Sequence, residues 1–394
     1  MVKRVLFVDH VDRILGGAEI NLIELITEAA TPTAHAWSTH CACAPAGPLA
    51  AALAPIPGVQ RHDYHAATGF NQVRLVGQSG FIRRAWKGFQ AARAAAAELS
   101  HILIQVRPTH VISCTNKDHF ALSRCRSAGL IPCYWWVNDL LTSEFFSWPA
   151  RRAFFKLARS RATGLIAVSG AVAAALNAGG APRNQIHPIS NGIPLHRYAR
   201  QSPGSLRSVP GLEQGPLVGI IGRFTPWKGQ HLAIDIAHQT LPWKVRPRFV
   251  LIGRAFNEDA SYEASLRQRV RDLGLESTVY FLPFQSNVAA ALSDLDLLLH
   301  TSTKPEPFGR VIIEAMAVGT PVIAAREGGV TEILTHNETG LLVPPGSIAD
   351  YTAAIQDLLA APEKRNRLAM AARRQVEERF SIQRVLSEFD KMLS

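Results

Sequence analysis

The feature that most constrains this chain is an alternation that runs along it twice. Short β-branched runs are each followed by a longer stretch with apolar residues every three to four positions, the signature of βα units and parallel sheets. In the first half the pattern predicts strands at 4–8, 35–42, 109–114, 133–137, 165–168 and 187–190, with helices at 17–30, 83–105 and 170–178. Residues 200–216 then lose all periodicity and collect Pro and Gly, the composition of a linker. A second series follows, with strands at 217–222, 248–253, 279–283, 297–301, 321–324 and 340–343 and helices at 230–240, 262–273, 288–295 and 310–318. From residue 350 the chain reads as helical, interrupted near Pro362 and again at Phe380-Ser381. The expected architecture is α/β: two Rossmann-like, doubly wound domains at 1–195 and 217–378, joined by a linker at 196–216. A terminal helix at 379–394 is expected to pack back on the first domain. Ligands of such sheets bind at the carboxyl ends of the strands, so a central cleft faced by both domains is the expected site.

Composition narrows the class. Of the 394 residues 47% are hydrophobic and 19% charged, which supplies two large cores and excludes disorder, collagen and coiled coil. The apolar run 5–8 is shorter than a signal-peptide core, and no stretch reaches the length of a membrane span, so the chain is expected to fold in the cytoplasm. Cys41, Cys43, Cys114, Cys125 and Cys133 lack the paired spacing of a zinc site and read as buried, reduced thiols. The net charge of +11 is uneven: residues 1–195 hold 19 basic and 10 acidic residues. Much of that surplus lies in 70–93, where Arg83, Arg84 and Lys87 alternate with Phe81 and Trp86, and in 145–161, where Arg151 and Arg152 follow Trp148. Basic residues among large aromatics suit an anionic acceptor or the inner face of a membrane; the plain alternative is a solvated face over an aromatic core. A nucleic-acid partner is suggested by charge alone, and no recognition motif accompanies it.

The chemistry concentrates in the second half. Strand 217–222 runs into Gly222-Arg223-Phe224-Thr225-Pro226-Trp227-Lys228-Gly229 and then a helix. A planar guanidinium and a mobile ammonium five residues apart on such a turn suit a diphosphate, and the order of a Walker loop is absent. After strand 297–301 comes Glu306-Pro307-Phe308-Gly309-Arg310, opening helix 310–318. Gly309 permits close approach to the backbone, the helix start favours phosphate, and Glu314 can accept both hydrogen bonds of a ribose diol. Asp294 and Asp296 have the spacing of a metal pair but read as the end of a helix.

The stretch E-P-F-G-R-V-I-I-E-A-M-A-V-G-T-P-V-I-A resembles the E-x7-E motif of the retaining GT-B glycosyltransferases of family 4, glycosyl transferases group 1. Gly222-Arg223-Phe224 with Lys228-Gly229, Ser190-Asn191-Gly192-Ile193 and Gly16-Gly17-Ala18-Glu19 resemble further segments of that family, in its order. The resemblance implies a metal-independent, retaining hexosyltransferase in polysaccharide or glycolipid assembly, with no cofactor and a UDP- or GDP-sugar as substrate. Arg223 and Lys228 would hold the diphosphate, Glu314 the ribose, and Glu306 with the Phe308-Gly309 backbone and Arg310 the sugar and phosphate. Gly16 and Gly17 would cap the diphosphate, and the segment at 281–285, with Phe284, would meet the base. The acceptor would be a glycan or a lipid-linked saccharide bound by the first domain, making the protein peripheral on the inner face of the membrane. Many relatives carry a His where this chain has Asn138, which is therefore expected to touch the transferred sugar without carrying a proton. An epimerase of the same fold and a non-catalytic relative are the rival readings.

Overall fold

The computed structural model of the chain describes residues 3–12, 16–31, 37–66, 81–125, 127–202, 204–256 and 259–394, with only the backbone for 81–87 and 89. It divides into two compact units, Met1–Gly192 with Ile382–Ser394, and Ile193–Ser381.

The first unit is built on a seven-stranded sheet in the order β3-β2-β1-β4-β5-β6-β7, parallel throughout. Its strands are β1 Lys3–Asp9, β2 Trp37–Cys43, β3 Val59–Asp63, β4 His110–Ser113, β5 Cys133–Val137, β6 Gly164–Ala167 and β7 Ile186–Pro188. Central β1 is covered on both faces, which is why it reads as a continuous apolar run. Edge strand β3 (VQRHD) is half exposed and carries little of that signal; periodicity missed it, together with the short helix Pro48–Leu53. The helices Asn116–Leu122 and Trp148–Arg161 also escaped it, the second because basic residues break its apolar stripe. All five cysteines are free and buried.

The second unit repeats the scheme with six parallel strands in the order β10-β9-β8-β11-β12-β13. These are β8 Leu217–Ile221, β9 Arg248–Ile252, β10 Val279–Leu282, β11 Leu297–His300, β12 Val322–Ala325 and β13 Leu341–Val343. The expected α/β, Rossmann-like architecture is observed in both units. In each sheet the chain reverses direction of travel between its first and fourth strands, β1/β4 and β8/β11, so each has a crevice at the carboxyl end of that pair.

The segment whose composition suggests a linker clusters with the second unit. The Asp294 carboxylate accepts from the amides of Gly204 (2.9 Å) and Leu206 (2.6 Å) and from Ser205 Oγ (3.1 Å). Asp296 accepts from the Leu217 amide at 2.9 Å and pairs with Arg207 and Arg365. The two acids with metal-pair spacing thus anchor this segment and the start of β8. At the other end, helix Ile382–Met392 buries Ile382, Val385, Leu386 and Phe389, one stripe at helical spacing, and belongs to the first unit. There Phe389 meets the rings of Trp37 and Trp136, and Trp37 Nε1 donates to Asp390. Among the described residues no helix is long and apolar enough to cross a membrane.

Candidate functional site

In the second unit the chain leaves β8 through a turn that closes at Gly229, where φ is +73°. A side chain is excluded there: a Cβ would lie 2.0 Å from the Thr301 carbonyl oxygen at the exit of β11. The turn is therefore pressed onto the β11 exit, and Thr303 N donates to Trp227 O at 2.8 Å across the join. That contact brings two residues 78 positions apart together. Lys228 Nζ, lying 4.4 Å from the Trp227 ring centre, donates to Glu306 Oε1 at 2.9 Å and Oε2 at 2.7 Å.

Glu306 is 8% exposed and also accepts from Ser302 Oγ (3.1 Å) and His300 Nε2 (3.2 Å). Burial pushes its carboxyl upward, but the Lys228 ammonium and the His300 contact outweigh that and hold it well below the usual carboxylate range. Its backbone is fixed from the far side: Gly329 N donates to Glu306 O at 2.8 Å, and a Cβ on Gly328, at φ +60°, would lie 2.4 Å from that oxygen.

Gly309, at φ +106°, opens helix Arg310–Val318 without a side-chain cap, so the first-turn amides are offered at the sheet's carboxyl edge. Arg310 Nε donates to Glu314 Oε1 at 2.7 Å, and the Tyr198 hydroxyl lies between them, 3.2 Å from that oxygen and 2.8 Å from Arg310. All three side chains are buried. The Phe308 ring is buried and packs edge-on to Phe380. Arg223 is exposed, its guanidinium 5.0 Å from the Phe256 ring centre, and Phe284 is exposed beyond β10. The structure thus brings Lys228, Glu306, Gly309, Arg310 and Glu314 to one edge and sets Arg223 and Phe284 on neighbouring loops. Sequence reasoning missed His300, Ser302, Tyr198 and the Gly328-Gly329 support; a His and a Ser six and four positions before Glu306 were the available signal.

In the first unit Gly16 caps helix Gly17–Ala29 and donates its amide to Glu19 Oε2 at 2.6 Å. At the β1/β4 crevice, Asp118 Oδ2 accepts from the His10 amide and lies 3.1 Å from His10 Nδ1, with Thr115 Oγ1 at 2.7 Å. Burial, then Glu19 and Asp118, pushes the Asp9 carboxyl far up, and burial raises Glu19 as well. Sequence reasoning did not single out this cluster. Asn138 turns its amide to the carbonyls of Cys114 and Trp136, each at 3.4 Å, while Asp139 accepts from Asn116 Nδ2 at 2.7 Å. In helix Trp148–Arg161 the aromatics divide: Phe154 and Phe155 are buried, and Trp148 is 68% exposed with Arg152 stacked 5.4 Å away. The side chains of Arg83, Arg84 and Lys87 lie outside the described residues.

Residues 205–375 match the family model described as "Glycosyl transferases group 1". The chain is 30% identical over 210 residues to the N-acetyl-alpha-D-glucosaminyl L-malate synthase of Bacillus anthracis, covering 53% of each protein. It is 25% identical over 350 residues to the lipopolysaccharide core biosynthesis glycosyltransferase LpsE of Rhizobium meliloti, covering 86% of this chain and 96% of that one. Apart from such longer matches, the chain spans about half the length of the curated relatives it matches first. Among solved structures it is similar to Anabaena Alr3699/HepE, crystallised with UDP and glucose and with UDP-glucose. The TM-score is 0.81 at 27% identity, over 99% of this chain and 98% of that one in the UDP and glucose complex.

Proposed function

We propose that this chain is a glycosyltransferase of the glycosyl transferases group 1 that uses a nucleoside diphosphate sugar and retains its anomeric configuration. The observation that carries the reading is the Lys228–Glu306 pair at the β8/β11 crevice, beside the uncapped start of helix Arg310–Val318. In transfer, the bond between the anomeric carbon and the diphosphate breaks and the diphosphate leaves with the electron pair. The acceptor oxygen bonds to that carbon on the same face, and its proton passes to the departing phosphate oxygen. The demand on the protein is stabilisation of charge on the leaving group, and a positioned ammonium, the Arg223 guanidinium and helix amides meet it. No metal ion is required by that chemistry.

Within this reading Glu306 orients the sugar hydroxyls and Glu314 the ribose, Gly16 and Gly17 approach the diphosphate, Phe284 borders the base, and Asn138 contacts the sugar. UDP is the favoured nucleotide because the similar Anabaena protein was crystallised with it. A glycan or lipid-linked acceptor in polysaccharide or glycolipid assembly fits the exposed Trp148-Arg152 pair, with Arg151 beside it, on a helix without acidic residues. That helix would lie on the inner face of the membrane.

Thermal shift against UDP-, GDP- and dTDP-sugars tests the donor. A ligand at 100 times its Kd stabilises by about 2.7 kcal/mol, a shift readily seen for one base and not the others. No stabilisation by any of them overturns the reading. Product formation only with an acceptor separates transfer from epimerisation.

A further inference from the structure

Glu314 is gripped by a segment that lies 116 positions before it in the chain. Pro194 starts a tight helical turn over Leu195–Tyr198, in which Arg197 N donates to Pro194 O at 2.9 Å. The turn sets the Tyr198 hydroxyl against Arg310 and Glu314, on the first turns of helix Arg310–Val318. Two residues on, Arg200 Nη1 reaches the carbonyls of Val318 and Gly319, each at 3.4 Å. The segment is thus fastened near the start and at the end of the helix that carries Glu314.

At the first of these points the Arg310 guanidinium divides its fork. Nε donates to Glu314 Oε1 at 2.7 Å, and Nη2 donates to the Tyr198 hydroxyl at 2.8 Å. A guanidinium only donates, so the phenol's one proton is left for Oε1, 3.2 Å away. In a side-on arginine–carboxylate pair the same two prongs take the two oxygens of the acid. Here the phenol oxygen stands at the second prong in place of one of them. Burial makes the substitution count: with all three side chains shut from water, an N–H that loses its acceptor is costly to leave unpaired. Taking the phenol oxygen away therefore draws Nη2 toward the acid's other oxygen.

We infer that Tyr198 is a positioning residue for nucleotide recognition: by taking one prong of Arg310 it keeps the Glu314 carboxylate turned to the ribose diol, and so sets the preference for ribose over 2′-deoxyribose. The inference rests on the reading of Glu314 as the ribose ligand. Its action on the nucleotide passes through that carboxylate, so it bears on the sugar of the nucleotide and not on the diphosphate.

Calorimetric titration with UDP and with 2′-deoxy-UDP measures that preference. The wild type is expected to bind UDP about tenfold or more tightly than 2′-deoxy-UDP, the usual loss for a hydrogen bond to a charged group. In Tyr198→Phe, UDP binding is expected to weaken until the two nucleotides lie within about twofold of each other. Binding of 2′-deoxy-UDP is expected to stay at the wild-type level, which also shows that the variant is folded. Glu314→Gln is expected to lose the preference as well. Full preference in Tyr198→Phe, or equal weakening of both nucleotides as a merely structural role would give, overturns the inference; loss of preference in Glu314→Gln then leaves the ribose reading of Glu314 standing. A wild type that binds both nucleotides equally removes Glu314 from the ribose and the inference with it. Failure of the wild type to bind UDP at any concentration overturns the donor reading itself.

Discussion

The two sheets have the same strand order and the same crevice, and they fill it with opposite electrostatics. At β8/β11 an acid is buried together with an ammonium, so Glu306 stays ionised. At β1/β4 Asp9, Glu19 and Asp118 are gathered around one imidazole, and the acids Asp9 and Glu19 are pushed up toward their neutral forms. Topology supplies a place at a strand end; whether that place receives an anion or a hydroxyl depends on which countercharges the loops deliver. The first crevice gathers its acids around His10, with the Lys117 ammonium within electrostatic reach of Asp118, and the second holds its acid against Lys228.

The comparison breaks most sharply at Lys228. Replacing it with Ala is expected to lower turnover by ~10²–10³, the usual loss for one transition-state donor. Steady-state rates with the donor varied at fixed acceptor check it. Next in size is the turn itself. Gly229→Ala puts a Cβ into the Thr301 carbonyl at positive φ and is expected to cost on the order of 3 kcal/mol in denaturant unfolding. In the first unit Gly16→Ala meets only the movable end of Glu19 and is expected to cost far less.

Acid also tests the first unit. His119 lies against Trp135, ring centres 4.8 Å apart, with Ser113 Oγ 2.6 Å from Nδ1. Burial, then His10, pushes its pKa down from 6.5 to about 3. Because the folded value lies below the unfolded one, its contribution is complete above pH 6.5 and is lost as pH falls from there toward 3. The slope is about 1.4 kcal/mol per pH unit. His119→Phe should flatten that loss in melting curves taken between pH 7 and 5, where the second unit's Glu306 contributes no slope. The smallest effect concerns the surface: reversing Arg151 and Arg152 to Glu should weaken partitioning onto anionic vesicles about tenfold or more and leave zwitterionic vesicles unaffected. Equal binding to both vesicle types would remove the membrane from the account.

How much of this was legible in the sequence follows the same divide. The strands of the second sheet fall within one or two residues of expectation because each is a short apolar run between turn residues, and Lys228 and Glu306 stand out on the loops after them. Edge strand β3 was hidden by its exposed Gln, Arg and His positions. His300 was hidden because a single His ending a buried strand is indistinguishable from core until Glu306 folds back over it. The Asp9, His10 and Asp118 cluster is assembled across 109 residues, and no local spacing announces it.

The central claim is that the Lys228–Glu306 edge binds a sugar nucleotide for transfer. The direct measurement is UDP release from UDP-sugars, with and without a membrane or glycan extract, in wild type and Lys228→Ala, with proton NMR of the product's anomeric signal. The account predicts release that requires the acceptor, collapses in the variant and yields an α-linked product from an α-linked donor. Release without acceptor, an inverted linkage, or equal rates in the two proteins would contradict it.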